Sequence, residues 1–274
     1  MKFGVSTFIT DEGIAAAELG RALEHRGFDA LFVAEHTHIP ASRETPYPGG
    51  GDLPRIYYRT LDPFVALGVV AAVTERLVVG TGIALIVERD PITTAKEVAS
   101  LDVVSGGRAV LGVGAGWNRE EMRNHGTDPA TRGALMDERI RAMREIWTAE
   151  QAEFHGHHVD FDPIYAWPKP VQQPHPPIYV GGESPRAVRR VAEYGGGWLP
   201  RGGTEDLADR IAEVRDRAGW RVPVTVYAAP RDAATIESYK AAGVDRTLFY
   251  LPTEPRDETL RRLDEFVTVV GDVS

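Results

Sequence analysis

Short apolar runs alternate with longer amphipathic stretches along the whole chain, and this alternation restricts the possible folds more than any other feature. "KFGVST" (2–7) reads as a strand, and Ala16, Leu19, Ala22, Leu23 and Arg26 then recur at three-and-four spacing on a helix that Gly27 stops. "DALFVA" is the second strand, followed by a polar loop and a helix near 62–74. "RLVVGTGIAL" is the third, after which Asp90 and Pro91 fit an N-cap and first helical position and Gly106 and Gly107 close the helix. "AVLGVG" (109–114) precedes a fourth helix, "TRGALMDERIRAMREIWTAE". "PIYVGG", "GGWLP", "VPVTVYA" and "RTLFYL" follow, leading into helices over 184–194, 204–218, 232–241 and 256–270. Most strands are continuously apolar, as parallel strands buried on both faces must be. Eight strand-then-helix units in about 250 residues suit an α/β fold of the closed (β/α)8 TIM-barrel type. An open doubly wound sheet would leave two strands over. Without a longer repeat or a low-complexity linker, residues 1–274 read as a single domain.

The charge balance narrows the partners. The chain carries 31 basic and 40 acidic side chains, a formal charge of −9, with no basic patch for nucleic acid or an anionic membrane. It has no cysteine, which removes thiolate nucleophiles, disulfides and thiolate metal sites together. "MKFGVSTF" lacks the basic and apolar regions of a signal peptide, and "FVALGVVAAV" falls short of the ~20 residues a bilayer span needs. A cytoplasmic location follows as an expectation.

Two connections are long. Residues 37–60 leave the second strand at its C-terminal end, where barrel active sites lie, and with Tyr47, Arg55, Tyr57, Tyr58 and Arg59 they read as a cover for a substrate. Residues 151–176 form an insertion between the fourth helix and fifth strand; their "HGHH" reads as a hairpin turn in solvent.

The strand ends supply the chemistry. The second strand runs into Glu35 and His36, two adjacent ionisable groups at the barrel mouth. His36 with His38 also matches the HxH of metal-dependent hydrolase barrels, although the later strands offer no further ligands. After the fifth strand, Gly181 and Gly182 permit close backbone approach, and Ser184 and Pro185 open a helix whose first N–H groups form an anion pocket. A plain glycine turn with a capped helix explains those residues equally well. "LGVGAGWN" places Trp117 where a dinucleotide fingerprint needs its last glycine. Asn118 is either a site residue or, with Glu121, a capping box.

Taken together, "FVAEHTHIP", "RLVVGTGI", "DPITTAKEVASLDVVSGGRAVLGVGAGWNREE" and "PPIYVGGESPRAVRRVAEYGGGW" resemble the luciferase-like monooxygenase superfamily, and most closely its F420-dependent oxidoreductase branch. The resemblance implies that coenzyme F420 lies across the barrel mouth and that hydride passes between its C5 and a small organic substrate. It implies His36, partnered by Glu35, as proton donor or acceptor, a non-prolyl cis peptide at Gly82–Ile83 behind the ring, and a cofactor contact from Asn118. Gly181, Gly182 and Ser184 would form the phosphate loop, with Arg186 or Arg201 as auxiliary cations. The chain has Gly196 where the family often has an acid in "GDGW". The rival readings are an FMN-dependent luciferase-like monooxygenase, a metal-dependent hydrolase on a TIM barrel, and a cofactor-binding protein without catalysis. Family members are commonly homodimers.

Overall fold

Parallel pairing carries the chain almost completely around a barrel in the computed structural model, which describes residues 1–273. The strands are β1 (Lys2–Thr7), β2 (Ala30–Val33), β3 (Val78–Thr81), β4 (Ala84–Leu85), β5 (Ala109–Gly114), β6 (Ala152–His155), β7 (Asp160–Ile164), β8 (Ile178–Gly181), β9 (Gly197–Leu199), β10 (Thr225–Ala229) and β11 (Arg246–Tyr250). The helices are α1 (Ala16–His25), α2 (Pro63–Ala72), α3 (Pro91–Ser105), α4 (Arg119–Asn124), α5 (Arg132–Thr148), α6 (Pro185–Tyr194), α7 (Leu207–Ala218), α8 (Ala233–Ala241) and α9 (Arg256–Val273).

Eight strands follow the order β10-β11-β1-β2-β3-β5-β8-β9. Parallel bridges Trp198–Val224 and Arg201–Tyr227 bring the ends together, and the Tyr227 N–H donates to the Pro200 carbonyl at 2.8 Å. This is the expected barrel. Its interior is a small apolar plug that includes Phe32, Val110, Tyr179 and Leu248, while the larger core lies between strands and helices. Every residue of β2 and of β5 is buried, which is why those runs show no polar alternation.

Local signals set the helix ends. Asp62 accepts from the N–H groups of Phe64 and Val65, Asp90 from Thr93, and Ser184 from Ala187, each just before a proline at the first helical position. Gly106 closes α3 with φ +65°.

The third strand differs from the single run expected. Gly80 pairs with Val110 and Ala84 with Val113, so four steps on one strand face three on the other. That is a one-residue bulge, and within it the Gly82–Ile83 peptide is cis. The Thr81 hydroxyl donates to the Gly112 carbonyl at 2.7 Å, which replaces a ladder bond where the backbone bends away. Only glycine fits opposite: a Cβ on Gly112 would sit 1.9 Å from the Thr81 carbonyl oxygen.

The insertion after α5 forms the antiparallel hairpin β6–β7. Its turn is held by the Glu138 carboxylate, which accepts the N–H groups of His157, His158 and Val159. "HGHH" is thus the end of a hairpin.

Candidate active site at the barrel mouth

A cavity of about 750 Å³ opens at the C-terminal ends of the strands. Its floor includes Gly82 and Ile83 of the bulge, and one wall is the turn at Gly181 and Gly182. Trp117, after the neighbouring strand β5, and Tyr47 and Tyr57, from the connection between β2 and α2, also line it. Tyr227 and Ala228 complete it from β10. The long connection therefore covers the mouth as expected, although not all its expected residues take part. Arg55 and Arg59 instead hold the loop down through Glu12 and Asp11, and Tyr58 is exposed. A short 3-10 turn, Arg55–Tyr58, and Thr45 bonded to Glu120 give the loop fixed points.

His36 lies one layer behind the Tyr57 and Trp117 rings. Its ring centroid is 5.1 Å from that of Tyr57 and 5.8 Å from that of Trp117, and its Nδ1 is 2.7 Å from Glu121 Oε2. Glu121 is completely buried. Carboxylates only accept, so this bond puts a proton on Nδ1 and leaves Nε2 as the nitrogen free to exchange one. Sequence spacing had offered Glu121 only as the far end of a capping box. That box does not form: Asn118 makes no side-chain cap, and the Glu121 carboxylate is turned toward the imidazole.

Glu35 does not border the cavity. One oxygen accepts the Leu85 N–H at 2.7 Å and the other accepts Arg89 Nε at 2.6 Å. Arg89 also reaches Asp62 and Glu97, so Glu35 ties the end of β2 to β4, α2 and α3. Ser184 caps α6 and Arg186 is exposed, whereas Arg201 borders the cavity. His38 turns away from His36 and bonds Thr37 and Asn124. Among the described residues, no three of His, Asp and Glu stand close enough to hold a metal ion.

Burial shapes the protonation of the region. Glu88 is pushed up to about 9, chiefly by burial and then by the charges of Glu121 and Glu35. Both its oxygens lack a partner, as do Glu121 Oε1 and both polar atoms of the Asn118 side chain. Burial also pushes the Tyr57 and Tyr227 phenols up, so both stay protonated near neutrality.

The site suits a flat ring with a phosphorylated tail. Its volume lies in the range of ordinary cofactor pockets, and aromatic rings line it. Gly182 has φ +97°, and a Cβ there would meet nothing closer than 4.0 Å, so its lack of a side chain leaves open space beside the first turn of α6. Asn118 is buried next to Trp117 and is not among the residues that line the cavity, and both its side-chain polar atoms lack a partner. At Gly196 the missing family acid has a steric reason: a Cβ would lie 1.9 Å from the Ile178 carbonyl oxygen.

The family model described as luciferase-like monooxygenase matches residues 1–265. An uncharacterized protein of Mycobacterium tuberculosis is 39% identical over 270 residues, 94% of each chain. The F420-dependent hydroxymycolic acid dehydrogenase of the same organism is 27% identical, over 87% of this chain and 61% of its own. The FMNH(2)-dependent dimethylsulfone monooxygenase of Pseudomonas putida is 35% identical over 47% of this chain and 36% of its own. Among solved structures, the monooxygenase RslO1 from Streptomyces bottropensis superimposes with a TM-score of 0.82 at 20% identity, covering 99% of both chains.

Proposed function

The chain belongs to the luciferase-like monooxygenase family, and from that premise we propose that it is an F420-dependent oxidoreductase acting on a small organic substrate. The bound deazaflavin would supply hydride transfer at C5. The residues of this chain do the rest. The Gly181–Gly182 turn and the first N–H groups of α6 receive the phosphate, and the bulge at Gly82 and Ile83 supports the ring. His36, next to the cavity behind Tyr57 and Trp117 and with its tautomer fixed by Glu121, exchanges the accompanying proton through Nε2.

One observation carries this reading: a glycine turn open to a phosphate borders an aromatic-lined cavity, and directly behind the Tyr57 and Trp117 rings that line it lies an imidazole held by a buried carboxylate. The similarity to the F420-dependent hydroxymycolic acid dehydrogenase extends over most of the chain and favours the deazaflavin. A second reading, an FMN-dependent monooxygenase, draws on the higher identity to the dimethylsulfone monooxygenase over a shorter stretch. Titrating the purified protein with F420 and with FMN, following cofactor fluorescence, separates them. F420 is expected to bind at least ten-fold more tightly, and a preference for FMN would favour the second reading.

We further propose a cytoplasmic homodimer. Helix α2, "PFVALGVVAA", has no charged residue on any side, yet Val65 and Val69 are exposed, and on α3, which packs beside it, Val103 and Val104 are exposed as well. A helix apolar all round calls for cover on its outer face, and a second copy meeting it about a two-fold axis supplies that cover.

A further inference from the structure

We propose that Glu183 is a charge filter at the phosphate end of the site, admitting a singly charged phosphodiester and disfavouring a doubly charged phosphomonoester. This rests on the cofactor site assigned above. Glu183 stands between Gly182 and the cap residue Ser184. With Arg201 and Gly202 it borders both the main cavity and an adjoining recess of about 380 Å³.

An acid in that place is unexpected for a loop that receives an anion, and its contacts show its effect. Glu183 Oε1 accepts the backbone N–H of Arg201 at 2.8 Å and its Nε at 3.3 Å, while Oε2 accepts a terminal guanidinium nitrogen at 3.3 Å. The arginine nearest the turn is therefore already neutralised. Arg210 is engaged as well, donating to the Glu183 carbonyl at 2.8 Å, and Glu205 adds a second acid to the recess. In the recess two arginines stand against two glutamates, so the Glu183 charge offsets a cation that would otherwise meet an anion. What remains for an anion is the partial positive charge of the first turn of α6, with a carboxylate beside it.

Repulsion from that carboxylate grows in proportion to the ligand's charge. A phosphomonoester carries −1.5 to −2 near pH 7, whereas a phosphodiester carries a single charge. The phosphate of F420 is a singly charged diester, with its glutamate carboxylates further along the tail, and FMN ends in a monoester at the same place. Glu183 thus separates two cofactors whose rings and ribityl chains a common cavity treats alike.

Glu183→Gln tests this, since the amide keeps an oxygen for the Arg201 N–H while removing the charge. Riboflavin, FMN and F420 are titrated into the parent and the variant at pH 7.5, with circular dichroism confirming that both are folded. The variant should bind FMN ~10-fold more tightly than the parent does, with riboflavin unchanged and F420 gaining only about half to two-thirds as much on a logarithmic scale, ~3- to 5-fold. A variant that binds FMN no more tightly than the parent overturns the proposal, as does an equal gain for riboflavin, which has no phosphate. Failure of the parent to bind F420 would remove the cofactor assignment, yet the FMN comparison would still judge Glu183.

Discussion

At the scale of single residues, His36 and Glu88 make opposite uses of burial. His36 keeps one ring nitrogen on Glu121 and one in reserve, so it is held in a single tautomer and remains able to exchange a proton. Replacing His36 with alanine should lower F420-linked turnover of a panel of small alcohols and ketones by ~10²- to 10⁴-fold. Cofactor affinity should be nearly unchanged, and turnover within about three-fold of the parent would remove the imidazole from the chemistry. Glu88 has no partner, so burial and its acidic neighbours hold its carboxyl protonated up to about pH 9, against an ordinary value of 4.5. Between those values the folded protein keeps a proton that the unfolded chain releases. The stability contribution is therefore complete below pH 4.5 and is lost as pH rises toward 9, by up to ~1.4 kcal/mol per unit. Glu88→Gln should flatten that slope in denaturant unfolding measured at pH 5, 7 and 9; identical slopes in parent and variant would show that Glu88 ionises normally.

At the scale of elements, function depends on where strands stop being regular. The extra residue between β3 and β4 displaces the Gly82–Ile83 segment to the cavity floor, and Glu35 accepts the Leu85 N–H just beyond the displaced segment. The β8–α6 turn is similar in kind. Gly182 is in a conformation that costs an L-residue free energy, the Trp198 indole N–H donates to its carbonyl at 2.9 Å, and Ser184 starts the helix immediately after. Gly182→Ala should therefore lower unfolding free energy by ~1 to 2 kcal/mol and weaken cofactor binding as its methyl group enters the open space. Unchanged stability would mean that the turn relaxes readily to another conformation. At Ala228, φ +52° is adopted by a residue other than glycine while its N–H donates to Ser6 Oγ at 3.3 Å. No turn residue marks that bend, so it could not be read from composition.

At the scale of the whole molecule, the exposed valines of α2 and α3 lie on the outside of the barrel, and none of them lines the cavity. Introducing Asp at Val65 and Val104 should convert a dimer to a monomer in size-exclusion chromatography with light scattering. A parent that is already monomeric at micromolar concentration would dismiss the interface. The sequence by itself determined the barrel, the helix caps at Asp90 and Ser184, the covering loop and the glycine turn, because each depends on periodicity or on interactions within a few residues. The pairing of His36 with Glu121 spans 85 positions, and the removal of Glu35 from the cavity depends on Arg89, 54 positions away. The contributions of Tyr227 and Ala228 likewise exist only once β10 closes against β9. Tertiary structure alone decided these, since which polar group satisfies a buried carboxylate depends on the neighbours that folding brings together and not on those that precede it in the chain.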